Sequence, residues 1–211
     1  MKHAATPTKR VRLSPEAREQ AILESAIRFF AENGFGGQTR ELAQSIGVSQ
    51  ALIFRYFPTK EDLIERVYEE VFNRDWKPDL ALLVTEGQCI EQRLTAFYRD
   101  YAARITRYDY TRLLLFAALN EVNFHKRLFR KIATDIYPAV IGELRAAHNK
   151  ASIARKPPTL AEIEAVWGLH ASIFFLGIRA HVFGLPVQPV DELVALKVRT
   201  FLAGAPAILN S

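Results

Sequence analysis

Thr39-Arg-Glu-Leu-Ala-Gln-Ser-Ile-Gly-Val-Ser-Gln-Ala-Leu-Ile-Phe-Arg-Tyr-Phe57 divides into two short segments around the pair Gly47-Val48. Leu42, Ile46, Val48 and Ile53 recur at the spacing that buries an inner face. Ala43 is small enough to let two helices approach, and Gly47 can adopt the positive φ of a tight turn. The pattern predicts a helix-turn-helix that presents its second helix outward. Gln50, Ala51, Phe54 and Arg55 are then left to meet a nucleic-acid groove.

Working outward, Ser14-Pro15-Glu16 supplies an N-cap, a proline at the first helical position and an acid in the first turn. Ile22, Leu23, Ala26, Phe29 and Phe30 continue at helical spacing to Asn33-Gly34, a left-handed stop, so a first helix is predicted over 15–33. Beyond Pro58, Thr59-Lys-Glu-Asp62 resembles a capping box, and Leu63, Ile64, Val67, Tyr68, Val71 and Phe72 mark a fourth helix. After a break at Lys77-Pro78 and Glu86-Gly87, helices are predicted at 88–106, 110–119, 123–148 with an interruption near Pro138, 160–183 and 190–202. No stretch alternates as a strand would. The expected fold is all-α: a basic arm at 1–13, a helix-turn-helix domain at 14–60, and a larger helical domain for ligand binding and dimerisation at 61–211.

The charge is uneven. Residues 1–60 hold 9 Lys/Arg against 5 Asp/Glu, a net of +4, while 61–211 hold 19 against 18, a net of +1. The excess falls on the helix-turn-helix end, where a polyanion would bind. Lys2, Lys9, Arg10 and Arg12 of the arm either add phosphate contacts or form a tail with no role. Cys89 is the only cysteine, which excludes an internal disulfide and a cysteine-based zinc site and fits a reducing cytoplasm. The N-terminus lacks the apolar run of a secretory signal, and no window holds eighteen uninterrupted apolar residues, so no spanning helix is expected.

The first seventy residues resemble the DNA-binding domain of the tetracycline-repressor (TetR) family of bacterial transcription regulators. The resemblance rests on Ile22-Leu23, Phe29-Phe30, Asn33-Gly34-Phe35, Glu41-Leu42-Ala43, Ile46-Gly47-Val48-Ser49, Phe54-Arg55-Tyr56-Phe57 and Lys60-Glu61-Asp62-Leu63, all in one register. It implies a homodimer that sets two recognition helices on a near-palindromic operator and is released, most often as a repressor, by a small-molecule effector. By position it implies that Thr39 and Arg40 touch phosphates, that Gln50, Ala51 and Leu52 face base edges, that Phe54, Arg55 and Tyr56 lie along the sugar-phosphate side, and that Lys60 binds phosphate. The side chains suit these tasks: Gln50 can pair with adenine, Arg55 can grip phosphate or guanine, and Ala51 or Leu52 can contact a thymine methyl unless Leu52 packs inward. Three positions depart from the family pattern. Gln38 stands where a Ser/Thr cap is usual, which shifts the cap and its phosphate contact to Thr39. Leu52 replaces a small residue, and Phe54 replaces a tyrosine whose hydroxyl only Tyr56 could supply.

Two C-terminal segments are apolar on more than one face, which calls for burial on two sides and points to a subunit interface through Trp167, Ile178, Val194, Val198 and Phe201. Aromatic residues crowd the middle segments. With a few polar groups among them, Phe97, Tyr101, Arg104, Phe116, Asn120, His170 and Phe174 are the candidate lining of a pocket for an effector of apolar or aromatic character. His170 and His181 lie three helical turns apart, too far to share one metal, and neither a metal site nor a cofactor is expected. An enzyme using Tyr101, Arg104, Glu121 and His125, or a protein-recruiting adaptor, are the competing readings. The chain has no phosphate-binding glycine loop, nucleophile elbow or metal-ligand spacing to support catalysis.

Overall fold

The computed structural model describes residues 14–74, 78–120 and 122–210. The basic arm at 1–13, Lys77 and Glu121 lie outside the described residues. Among those described there are ten α-helices and no strand: α1 Pro15–Asn33, α2 Thr39–Ser45, α3 Gln50–Tyr56, α4 Lys60–Tyr68, α5 Ile90–Ile105, α6 Tyr108–Leu119, α7 Phe124–Lys131, α8 Tyr137–Ala147, α9 Leu160–His181 and α10 Val190–Leu209. The chain is all-α, as its periodicity requires.

Caps explain most boundaries. The Ser14 hydroxyl accepts from the Ala17 N–H at 3.2 Å, and Thr59 and Asp62 exchange hydrogen bonds at the head of α4. Gly34 and Gly47 take φ of 74° and 67° where α1 and α2 stop, a region that costs other residues strain. Two predicted helices change pitch. α4 continues as a π-helical turn over Glu69–Asn73, and the predicted 123–148 helix is α7, a π turn at Ile132–Ile136, and α8, whose second residue is Pro138. Proline's ring and missing N–H explain why the interruption sits just ahead of it. The predicted break at 77–87 contains a 3-10 turn, Leu80–Val84, capped by Asp79 and anchored by buried Leu83. α10 runs seven residues past its predicted end at 202 and through Pro206. The missing donor falls in the last turns, while Ala205, Ile208 and Leu209 pack on the core and hold the segment helical.

One continuous buried cluster extends from Ile22 in α1 to Ala205 in α10. Phe124, the first residue of α7, joins the helical body to the N-terminal segment: its ring lies 5.7 Å from Phe35, 5.2 Å from Tyr68 and 5.1 Å from Phe72. By length and composition α9 is the one described helix apolar enough to cross a membrane, yet it packs on α5, α6, α8 and α10. Gly177 lets it approach the α5–α6 corner so closely that an added Cβ would lie 2.4 Å from the Thr111 hydroxyl oxygen. The packing corrects the predicted subunit contacts. Val194 and Val198 are fully enclosed and Phe201 is buried, so these side chains fill the chain's own core. Trp167 is 39% exposed and Ile178 half-buried.

The α8–α9 loop hangs on one buried ion pair. Arg145 meets both Glu162 carboxylate oxygens, at 2.6 and 2.7 Å, and donates its remaining N–H groups to the carbonyls of Ala151, Lys156 and Pro157. Every guanidinium donor is used, which a buried Arg needs. The Arg145 fork and the Thr159 N–H hold the Glu162 carboxyl down at about 2 against an ordinary 4.5. A lowered native value stabilises the fold above the unfolded value and is lost as pH falls through the native one. Glu162→Gln should therefore cost roughly 3 to 5 kcal/mol near neutral pH, because it strands the buried guanidinium. Urea unfolding of the two proteins should converge between pH 4.5 and about 2; a pH-independent difference would refute this account.

Candidate nucleic-acid interface

α2 and α3 are each seven residues long, too short to persist alone, so their helicity depends on caps and on the buried residues behind them. Leu42 and Ile53 are completely enclosed and Ala43 nearly so, with Ile46 and Val48 half-buried against the same core. The turn between them is closed by the Val48 N–H on the Ala43 carbonyl at 3.0 Å. Ser49 then caps α3, its hydroxyl accepting from the Leu52 N–H at 3.2 Å.

With the inner face committed, the outer face is settled by the 3.6-residue period. Gln50, Ala51 and Arg55 are exposed and Phe54 is 37% exposed, while Leu52 and Tyr56 are half-buried. Tyr56 packs against the hydrophobic core, and Leu52 sits between the two roles open to it. Arg40 is exposed in the first turn of α2 and Lys60 is the first residue of α4, half-buried. Arg40, Arg55 and Lys60 thus stand at three helix ends, the start of α2, the end of α3 and the start of α4.

Thr39 departs from expectation. Gln38 is the N-cap of α2, and Glu41 reaches back to accept from the Gln38 N–H at 3.0 Å. Thr39 is the first helical residue and only 8% exposed, which leaves Arg40 as the accessible side chain there. The reciprocal Glu41 contact replaces the Ser/Thr cap, and its signal, a glutamate three residues past the cap position, is present in the sequence.

The candidate pocket residues divide into two groups. Phe97, Tyr101 and His170 come together in the core, with Phe97 and Tyr101 stacked at 6.0 Å and the Tyr101 ring 5.1 Å from His170. Burial pushes the His170 imidazole down to about 4, so it is neutral at physiological pH. Phe174 is half-buried against the core, and Arg104 forms an ion pair with Asp100 at 3.4 Å. Phe116 and Asn120 lie at the far end of α6, where the Phe116 ring stands so close to Gly34, the C-cap of α1, that an added Cβ would lie 3.0 Å from it. Of the residues named for catalysis, Tyr101 is enclosed beside His170, His125 is held to the Val122 carbonyl at 2.9 Å, and Glu121 is outside the described residues. Among the described residues no group of three His, Cys, Asp or Glu could hold a metal.

Two arginines join the interface to the helical body, and periodicity alone does not single them out. Arg112 of α6 donates to the carbonyls of Ala31 and Glu32 at the end of α1 and, at 3.0 Å, to His181 at the end of α9. It lies between the rings of Tyr108 and Phe116, and the four-residue spacing of these three residues is the sequence signal. Arg127 of α7 grips Glu65 of α4 at 2.8 and 2.7 Å and covers the Tyr68 ring at 4.1 Å.

Comparison with known proteins agrees with this geometry. Residues 22–67 match the family model described as bacterial regulatory proteins, tetR family. Over 63 residues the chain is 44% identical to the HTH-type transcriptional regulator LuxR of Vibrio harveyi, covering 29% of this chain and 31% of the relative. Over 94 residues it is 37% identical to the HTH-type transcriptional repressor AcnR of Corynebacterium diphtheriae, covering 44% of each. The matches thus span less than half the length of these curated relatives. A solved structure from Mesorhizobium loti MAFF303099, described as a TetR-family transcriptional regulator, superposes with a TM-score of 0.54 at 18% identity, covering 90% of this chain and 98% of that one. At that identity the likeness carries the fold.

The exposed face of α3 makes a specific prediction. Gln50→Ala should cost about 1 to 3 kcal/mol of affinity for a preferred duplex and relax the preference at one base pair. Lys60→Ala should weaken all duplexes alike and reduce the slope of log K against log salt by about one. Binding isotherms on matched and single-substituted duplexes at several salt concentrations separate these outcomes, and a uniform loss for Gln50→Ala would remove its base-reading role.

Proposed function

We propose that this chain, whose N-terminal domain is that of the TetR family of bacterial regulatory proteins, is a ligand-responsive transcriptional repressor that binds a near-palindromic operator as a homodimer in the cytoplasm. The observation that carries the reading is the free outer face of α3, where Gln50, Ala51 and Arg55 stand exposed on a helix whose Ile53 is completely enclosed. Such a helix can enter a major groove without losing its own packing. The name of the AcnR relative, a repressor, favours repression over activation.

Two copies are needed because a seven-residue helix reaches only a few base pairs. A two-fold dimer doubles the site and sets the helices about 34 Å apart along the duplex. The face that suits a second copy is the outer side of α9 and α10, where a groove of about 480 Å³ is lined by Ala165, Gly168, Ser172, Leu196, Thr200 and Gly204. These residues replace the buried valines expected from the sequence. Their small side chains permit close helix approach, and α9 continues the exposed stripe at Ala171 and Phe175.

An effector works by unequal affinity for the DNA-competent and released shapes, and about 1 to 3 kcal/mol of coupling changes operator affinity roughly 5-fold to 150-fold. Arg112 and Arg127 are the levers: a ligand that shifts α6 or α7 moves the end of α1 through one and α4 through the other. Either movement alters the separation of the two α3 helices.

Selection of sites from randomised duplex DNA with the purified protein should enrich a two-fold-symmetric motif, and the absence of enrichment at moderate salt would sink the regulator reading. Gly168→Arg adds a charge where no atom lies within 4 Å of the new Cβ, so the subunit should fold normally. Sedimentation should then show a monomer whose operator affinity falls at least about tenfold; a dimer of unchanged mass would place the interface elsewhere.

A further inference from the structure

Three side chains from three helices carry buried polar atoms with no hydrogen-bond partner among the described residues: the hydroxyls of Tyr98 in α5 and Tyr137 in α8, and Nδ1 of His170 in α9. Each residue is more than nine-tenths buried. They are near one another. The rings of Tyr137 and His170 are 6.3 Å apart, and Tyr101 bridges the set, 5.1 Å from His170 and 6.5 Å from Tyr98. One orphaned polar group in a core costs about 1 to 3 kcal/mol in ordinary experience, so three carried on neighbouring rings of one core require a reason.

The surroundings indicate what they would receive. None of the three carries charge at neutral pH: burial lowers the imidazole and raises both phenols. Phe97 stacks on Tyr101, whose ring lies beside His170, and a chain of rings leads outward from Tyr137 to Trp167 at 5.9 Å and Phe129 at 5.5 Å from Trp167. Trp167 is 39% exposed, so that chain ends at the surface. The π turn at Ile132–Ile136 immediately precedes Tyr137, and such turns recur where a helix is shaped for function.

We propose that Tyr98, Tyr137 and His170 form an internal binding site for a compact, uncharged molecule with an aromatic body and a hydroxyl group, entered beside Trp167. A hydroxyl both donates and accepts, so it can satisfy two tyrosine hydroxyls and either tautomer of a neutral imidazole at once. A carboxylate or ammonium would enter a core whose polar groups are uncharged, and its desolvation would be uncompensated. The site rests on the effector reading given above and supplies the chemical class of the effector.

Phenol is the simplest probe, with toluene as its apolar isostere and benzoate as its charged relative. Isothermal calorimetry on the full chain without DNA tests the site independently of operator binding. Trp167 fluorescence in a Trp76→Phe background locates the ligand, and a separate operator titration tests the regulator reading. Phenol should bind at least about tenfold more tightly than toluene or benzoate and perturb Trp167. Tyr98→Phe and Tyr137→Phe remove orphaned hydroxyls, so both variants should melt at or above the wild-type temperature while binding phenol at least about tenfold more weakly. Equal binding of phenol and toluene, undiminished phenol binding by both variants, or a lowered melting temperature for both, which would mean that ordered water already satisfies the hydroxyls, overturns the proposal. Loss of operator binding with phenol binding intact would remove the regulator reading and leave the site standing.

Discussion

The packing of Phe124 against Phe35, Tyr68 and Phe72 is the constraint on which the arrangement of this molecule depends. The helix-turn-helix segment does not enclose all of its own aromatic residues: Phe35 after α1, Tyr68 at the end of α4 and Phe72 in the π turn pack on residues of the body. Phe124, together with Tyr110 at 4.7 Å from Phe72, covers them. Burying such rings contributes about 1.5 to 3 kcal/mol each, enough to make the reading head and the helical body one cooperative core. The helices that carry α3 are therefore joined to the body by residues more than fifty positions beyond it in the chain.

Three arginines give that core direction, and two of them solve the same problem. A guanidinium has five donors, and when half-buried it must find carbonyls or carboxylates for them. Arg145 uses all of its donors to shape the α8–α9 loop around Glu162. Arg112 gathers the last carbonyls of α1 and α9, where the helix dipoles favour a cation. Arg127 is exposed and ties α7 to α4 differently, through a surface ion pair with Glu65 and its place over the Tyr68 ring. Apolar packing tolerates small sliding, whereas a hydrogen-bonded guanidinium has a defined geometry.

The interior of the body contrasts with this economy of donors. Where Arg145 is fully engaged, the hydroxyls of Tyr98 and Tyr137 and Nδ1 of His170 have no partner among the described residues, and position accounts for part of the difference: Arg145 reaches the free carbonyls of the α8–α9 loop, while Tyr98 and His170 project from helix middles whose backbone groups are already paired. Aromatic residues with polar tips suit a region that must remain packed when empty of ligand and yet recognise one when present.

Read alone, the chain determined its all-α class, the helix-turn-helix and the identity of the exposed α3 residues, because those depend on spacing within a few turns: Leu42, Ile53, Gly47 and Gln50 have only one arrangement that buries the first two and frees the last. Local chemistry also located the caps at Ser14 and Thr59. The burial of Thr39, the continuation of α10 through Pro206 and the enclosure of Val194 and Val198 were decided by tertiary packing. An apolar helix with more than one buried face does not record in its sequence which face meets its own core and which could meet a second subunit; only the neighbours that α5, α6 and α8 provide settle the inner one. The same holds for the polar core, since Tyr98, Tyr137 and His170 are far apart in the chain and acquire a common environment only when three helices converge.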